Sequence, residues 1–181
     1  KVLVATDGYF YAGKRIDVLK KLREIVPQLP GLAATVVVGF CEQRPELSSI
    51  PNAVHWETLL REHAGAAFAP RPFPFSHPLY ILYSSGTTGA PKCIVHGAGG
   101  TLLQHQKEHL LHCDIRPGDV VFYFTTCGWM MWHWLVSALA AGATLLLYDG
   151  SPLYPDATAL WRLASRERVA IFGTSAKYLQ T

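Results

Sequence analysis

Cysteine is scarce and dispersed. The four cysteines, Cys41, Cys93, Cys113 and Cys127, form no CxxC pair, which fits reduced thiols and argues against a disulfide framework or a zinc site. On that ground the protein is expected to be cytoplasmic. A signal peptide is also missing from the expectation, because Lys1 leads directly into the strand-like run Val2 to Ala5 with no charged region and cleavage site. Charge of one sign is lacking as well. Sixteen Lys and Arg against 13 Asp and Glu leave a net charge of +3 without any basic tract, so nucleic acid is not expected as a partner. Two enzyme signatures are absent too. Gly8 to Gly13 does not supply the G-x-G-x-x-G of a dinucleotide-binding oxidoreductase. Ser175 stands in Gly-Thr-Ser-Ala rather than G-x-S-x-G, with no Asp or Glu after it, which disfavours a hydrolase elbow.

What is present is apolar residue: half of the 181 positions are hydrophobic, enough for one sizeable core or at most two small lobes. The longest such run, Trp129 to Tyr148, is interrupted in polarity only by His133, Ser137 and Thr144. Its length would suit a bilayer. Ala141-Gly142 breaks it, however, into a helix-like part and a buried strand at Thr144 to Tyr148, as a covered parallel sheet requires, and no membrane span is expected.

The pattern along the chain is β and α in alternation. Val2 to Thr6 reads as a strand, Gly8 to Gly13 as an aromatic loop, Lys14 to Val26 as a helix carrying Ile16, Leu19 and Leu22 at helical spacing, and Ala34 to Val38 as a second strand. Residues 41 to 52 read as loop, and a short helix is expected around Trp56 to His63. Pro70, Pro72, Pro74 and Pro78 make residues 69–78 an extended connector. Beyond it we expect strands at Leu79 to Tyr83, Asp119 to Phe124, Thr144 to Tyr148 and Val169 to Phe172. The helices between them fall at about Gly100 to His112, Trp129 to Ala140 and Pro155 to Ser165. The expected fold is α/β, a mostly parallel, doubly wound sheet with helices on both faces. Residues 1–68 form a βαβ-containing lobe and residues 79–181 a second α/β lobe. Both ends read as cut, the first inside a strand and the last in the first turns of a helix, so a fragment of a longer protein is expected.

The informative segment is Tyr83-Ser84-Ser85-Gly86-Thr87-Thr88-Gly89-Ala90-Pro91-Lys92, read as a loop between a buried strand and a downstream helix. Gly86 and Gly89 permit positive backbone angles, the hydroxyls of Ser84, Ser85, Thr87 and Thr88 can donate to phosphate oxygens, and successive backbone N–H groups can form an anion nest. Lys92 adds a mobile charge. A Walker A loop would need Gly where Pro91 stands. The segment instead resembles the [ST]-[SG]-G-[ST]-T-G-x-P-K signature of the adenylate-forming superfamily of acyl- and aryl-CoA synthetases, luciferases and peptide-synthetase adenylation domains. Val95-His96-Gly97, Gly128-Trp129, Gly142-Ala143-Thr144 and Tyr148-Asp149-Gly150-Ser151-Pro152 look like its acetyl-CoA synthetase branch. Asp7-Gly8-Tyr9-Phe10-Tyr11 with Gly13-Lys14-Arg15, and Phe172-Gly173-Thr174-Ser175-Ala176-Lys177-Tyr178-Leu179, are similar to acetoacetyl-CoA synthetases. This resemblance covers nearly all of the chain, whereas the chain covers a minority of such an enzyme.

The resemblance implies a ligase that takes acetoacetate, ATP with Mg²⁺, and CoA. The carboxylate attacks the α-phosphorus, expelling pyrophosphate, and the CoA thiol then displaces AMP from the acyl-adenylate. It assigns the β- and γ-phosphates to Ser84, Ser85, Gly86, Thr87, Thr88, Gly89 and Lys92, the acyl pocket to Trp129, Met130 and Met131, and the CoA nucleotide to Lys14 and Arg15, with Tyr11 where an Arg often occurs. It also implies part of an N-terminal domain, the C-terminal domain being absent. The ribose Asp, the Mg²⁺-binding Glu and the catalytic Lys belong to motifs downstream of Thr181, so no catalytic residue and no metal ligand is assigned within the chain, and the isolated piece is expected to be inactive. Other readings stay open: a non-catalytic phosphate-binding fragment, or a synthetase for another short acid such as acetate. Lys14 and Arg15 fit an exposed first helical turn without a ligand equally well. His105, His109 and His112 could face one metal from one helix, but with Gln and Lys around them and no carboxylate or Cys as partner a packed or solvated face is favoured. His96 reads as capping or packing, and Trp132 and Trp134 as core.

Overall fold

The computed structural model describes residues 1–84 and 89–181. Ser85, Gly86, Thr87 and Thr88, four of the expected phosphate-binding residues, lie outside the described residues. Two compact units are present, Lys1–Ala69 with Asp149–Pro155, and Pro70–Tyr148 with Asp156–Thr181.

In the first unit a three-stranded parallel sheet runs in the order β1 (Val2–Thr6), β4 (Ala34–Val38), β5 (Ala53–His55). Val4 lies opposite Val36, and Val36 in turn opposite Val54. Between β1 and β4 come an antiparallel hairpin, β2 (Gly8–Tyr11) and β3 (Lys14–Asp17), and helix α1 (Leu19–Ile25). Helix α2 (Trp56–Glu62) follows β5. Leu22, Val26, Val37, Leu47 and Ile50 form the core, with Leu3 and Ala5 packed on it, while Val2 and Val4 on the alternate positions of β1 are exposed.

Two expectations are corrected here. Gly8 to Gly13 is not a loop, and the helix does not begin at Lys14. Ala12 and Gly13 both have positive φ, 50° and 77°, the two-residue turn whose twist suits a hairpin, and it pairs Tyr11 with Lys14. Ile16, whose spacing to Leu19 and Leu22 mimicked a helix, is therefore in a strand. The side chain of Asp7, 1% exposed, fixes the loop after β4: its Oδ1 accepts from the N–H groups of Phe40 (2.7 Å) and Cys41 (2.9 Å) and its Oδ2 from that of Glu42 (2.9 Å). Burial pushes this carboxyl up, but the backbone donors of Cys41, Phe40 and Glu42 outweigh it and hold it below its ordinary value.

The second unit opens with an antiparallel hairpin, β6 (Pro78–Ser84) and β7 (Lys92–Gly97), followed by helix α3 (Ala98–Lys107), which continues as a wider turn over Glu108–His112. Its parallel sheet has the order β10 (Val169–Gly173), β8 (Val120–Tyr123), β9 (Thr144–Leu146). Helices α4 (Met130–Ser137), α5 (Ala159–Arg166) and α6 (Ala176–Leu179) complete it. The central strand β8 is covered on both faces. Val121 packs with Ile115, Trp134, Leu135 and Ala138, whereas its neighbour Phe122 packs with Leu160 and Tyr178. Successive side chains thus enter opposite cores, which accounts for an uninterrupted apolar strand. The fold is α/β as expected, with parallel strands, right-sized connecting helices and two antiparallel hairpins added.

The apolar run from Trp129 resolves into α4, a short turn over Ala138–Ala141, Gly142 in the left-handed conformation (φ 79°) and strand β9. Among the described residues no helix is long and apolar enough to cross a membrane.

Candidate active site

The phosphate-loop segment joins two strands, not a strand and a helix as expected. Ser84 at the end of β6 pairs with Lys92 at the start of β7, and Tyr83 with Cys93. Lys92 and Gly89 are exposed, and Gly89 has φ 145°, open to glycine and strained for other residues. Among the described residues the next helix along the chain, α3, starts only at Ala98, after the full length of β7. Lys92 has no ion-pair partner among the described residues.

A cavity of about 440 Å³ opens where β8 and β10 end, lined by Tyr123, Phe124, Thr125, Thr126, Trp129, Met130, Met131 and Ser175. This is where open α/β sheets receive ligands. The three residues expected in an acyl pocket are brought together there. Trp129 is exposed and precedes α4, Met130 opens the helix, and Met131 packs against the core below. Tyr123, Met130 and Met131 also line a second cavity of about 440 Å³ with Gln104, His105, Glu108 and Trp134. Tyr123 was not singled out from the sequence, and Ser175 was weighed there only as a hydrolase nucleophile and set aside. Their one available signal was position, the former at the carboxyl end of an expected strand and the latter just beyond another.

Lys14 and Arg15 lie in β3, so they project to opposite faces of the hairpin. Lys14 shares a face with its cross-strand partner Tyr11, and Arg15 with Phe10. Arg15 is engaged by Glu42 at 2.5 Å, and that hydrogen bond raises its pKa. The two cations therefore do not form one grip, and Lys14 is the one with no ion-pair partner among the described residues.

The family model described as AMP-binding enzyme matches residues 1–180. The chain belongs to the AMP-binding enzyme family. Among family members it is 55% identical over 182 residues to the acetoacetyl-coenzyme A synthetase of Rhizobium meliloti (strain 1021), covering 99% of this chain and 27% of that protein. It is 45% identical over 196 residues to a malonamoyl-CoA synthetase of Penicillium aethiopicum, covering 98% of this chain and 27% of that protein. The solved structure of the acetoacetyl-CoA synthetase from Streptomyces lividans superposes with a TM-score of 0.85 at 44% identity, covering 99% of this chain and 27% of that one. The chain thus spans about a quarter of the length of these AMP-binding relatives.

Beside the cavities the chain carries a histidine-rich polar cluster, part of which lines the second cavity. Ser137 Oγ donates to the carbonyl of Trp134 at 2.7 Å. Having spent its one proton, it accepts from Nδ1 of His105 (2.9 Å) and Nε2 of His109 (2.8 Å). Trp134 Nε1 donates to Glu108 at 2.9 Å, and Gln104 donates to the other Glu108 oxygen at 2.7 Å. His105 and His109 are buried and His112 is exposed, so the three expected on one face are divided. Among the described residues no group of three His, Cys, Asp or Glu is placed to hold a metal. His133 stacks on Tyr80 with centroids 3.9 Å apart, and His96 lies 6.1 Å from the same ring. Trp134 is core as expected, while Trp132 lines a third cavity with Tyr80 and His133.

Burial, then the neighbouring histidines, lowers His105 and His109 against the opposing pull of Glu108, and burial with His96 lowers His133. All three folded values lie below the ordinary 6.5. Their contribution to stability is therefore full above that value and is lost as pH falls through the folded ones, since the unfolded chain binds the protons first. Urea unfolding at about pH 7.5 and about pH 5.5 is expected to show lower stability in acid, and His109→Gln is expected to shrink that difference. Equal acid sensitivity in wild type and variant would show that the buried pair does not cause it.

Proposed function

We propose that a full-length protein containing this chain is an acetoacetate–CoA ligase, acting through an acyl-adenylate. The observation that carries the reading is the pairing, in one structural unit, of the phosphate-loop hairpin ending at Lys92 with an apolar cavity at the carboxyl ends of β8 and β10. The names of the relatives support the acid: acetoacetyl-CoA synthetases at 55% and 44% identity across nearly the whole chain.

ATP is bound by its β- and γ-phosphates at Ser84 to Gly89, with Lys92 offsetting the charge that accumulates on departing pyrophosphate. Mg²⁺ enters with the nucleotide as part of the substrate. The acyl chain lies against Trp129, Met130 and Met131, whose apolar wall excludes water from the reacting carboxylate. Lys14 meets the phosphate-rich nucleotide of CoA, and Arg15, tied to Glu42, holds the hairpin that presents it. The reaction belongs in the cytoplasm, where ATP and CoA are both available.

Acid-dependent exchange of labelled pyrophosphate into ATP tests this reading. Acetoacetate is expected to stimulate it; stimulation by acetate or a long fatty acid and not by acetoacetate would remove the substrate assignment.

A further inference from the structure

The apolar cavity raises a problem of chemistry. The acyl groups named for two relatives, acetoacetyl and malonamoyl, both carry an oxo group at the third carbon. Placing such an oxygen against Trp and Met without a donor strips it of water uncompensated, which favours the plain butyryl chain instead. A pocket that selects a 3-oxo acid therefore needs a fixed donor in its wall.

Four side chains lining the cavity bear hydroxyls: Tyr123, Thr125, Thr126 and Ser175. The Thr125 hydroxyl donates to the carbonyl of Thr126 at 3.4 Å, Thr126 itself is exposed and open to water, and Ser175 Oγ accepts from the N–H of Tyr178 at 3.2 Å as the cap of α6. Tyr123 is different in kind. Its ring is held by packing, edge-on to Trp134 with centroids 6.2 Å apart and seated on the core beside Met131. It also lies directly on the backbone of β10. A Cβ added to Gly173 would stand 2.1 Å from Tyr123 Cδ2, so glycine at this position is what lets the ring occupy its place. Tyr123 is half-buried, and its hydroxyl has no hydrogen-bond partner among the described residues, which leaves the donor free for a ligand. The ring belongs to the wall shared by both cavities.

Resting on the ligase reading above, the geometry points to Tyr123 as the specificity residue, its O–H donating to the 3-oxo oxygen of the acid, with Gly173 as a positioning residue for the ring. Selection then works from both sides. Acetoacetate satisfies the phenol, whereas butyrate covers it with a methylene and leaves it unpaired, the situation in which a polar site discriminates most strongly. The ring needs no rearrangement on binding, because packing has already fixed it.

The test is made in the full-length enzyme, by pyrophosphate exchange with acetoacetate and with butyrate. Tyr123→Phe keeps the ring and its packing and removes only the donor. It is expected to lower kcat/KM for acetoacetate about 10- to 100-fold, mainly through KM, while butyrate is unchanged or improved. Gly173→Ala, which displaces the ring with its hydroxyl intact, is expected to lose the same preference. A wild type that prefers acetoacetate together with an unaltered acid ratio in Tyr123→Phe overturns the proposal and leaves the ligase reading standing. So does an equal loss on both acids, or a preference abolished by Ser175→Ala and not by Tyr123→Phe. A wild type that activates butyrate but not acetoacetate overturns both.

Discussion

Replacing Lys92 by alanine in a full-length enzyme is expected to slow adenylate formation about 100- to 1,000-fold, the usual loss when one preorganised donor is removed from a site of developing charge. Thioester formation from preformed acyl-adenylate should change little, because the triphosphate takes part only in the first half-reaction. The structure gives the substitution a clean reading. Lys92 is exposed at the first position of β7, opposite Ser84 and with no ion-pair partner among the described residues. Its loss therefore removes a charge without orphaning a buried carboxylate. The backbone pairing of the hairpin does not depend on the side chain. Single-turnover kinetics of each half separates the outcomes, and equal losses in both would make Lys92 a structural residue of the hairpin.

The 181-residue chain by itself is expected to form no measurable acetoacetyl-CoA from acetoacetate, ATP, Mg²⁺ and CoA. Orientation of the carboxylate and neutralisation of charge at the α-phosphorus supply most of the acceleration in such transfers. On the proposed reading the chain contributes a grip for pyrophosphate and a wall for the acyl group, and the family resemblance assigns the ribose Asp, the metal Glu and the catalytic Lys to motifs not contained in residues 1–181. Three of the remaining carboxylates are committed elsewhere: Asp7 to the 40–42 turn, Glu108 to Trp134 and Gln104, Asp156 to Arg162 and Thr158. Product detected above background, and abolished by Lys92→Ala, would mean that a residue of this chain given no catalytic role does chemistry.

The parallel sheets were legible because their strands are continuous runs of apolar residues with turn signals between them. Val121 and Phe122 illustrate the reason: each faces a different core, so neither position tolerates polarity. The first hairpin was misread because Ile16, Leu19 and Leu22 fall at helical spacing by coincidence. The deciding feature was the Ala12-Gly13 turn, whose positive φ angles belong to backbone geometry that alanine does not advertise. β7 was missed for another reason. Lys92 to Val95 is exposed along its length, so it lacks the burial pattern that marks a strand.

The phosphate loop and the acyl residues are proposed from motif resemblance, the first with support from the hydroxyls and glycines of its sequence; the structure adds that Trp129, Met130 and Met131 line one cavity. Tyr123 was not legible at all. What distinguishes it is contact with Gly173, fifty positions along the chain and adjacent only because β8 and β10 pair in register, Tyr123 opposite Gly173. Asp7 is the same kind of case, a carboxylate given its purpose by three backbone donors beyond β4. Local spacing carries no record of either.

In the proposed function the hairpin loop and the β8–β10 cavity act together to activate a short 3-oxo acid. Exchange of labelled pyrophosphate into ATP, measured in the full-length enzyme without CoA and compared across acetate, butyrate, acetoacetate and a long-chain acid, isolates the half-reaction that uses both. Exchange with acetoacetate is expected well above that with butyrate, of similar size but lacking the oxo group, and little with acetate or the long acid. Exchange driven equally by butyrate and acetoacetate, or by acetate alone, would contradict it.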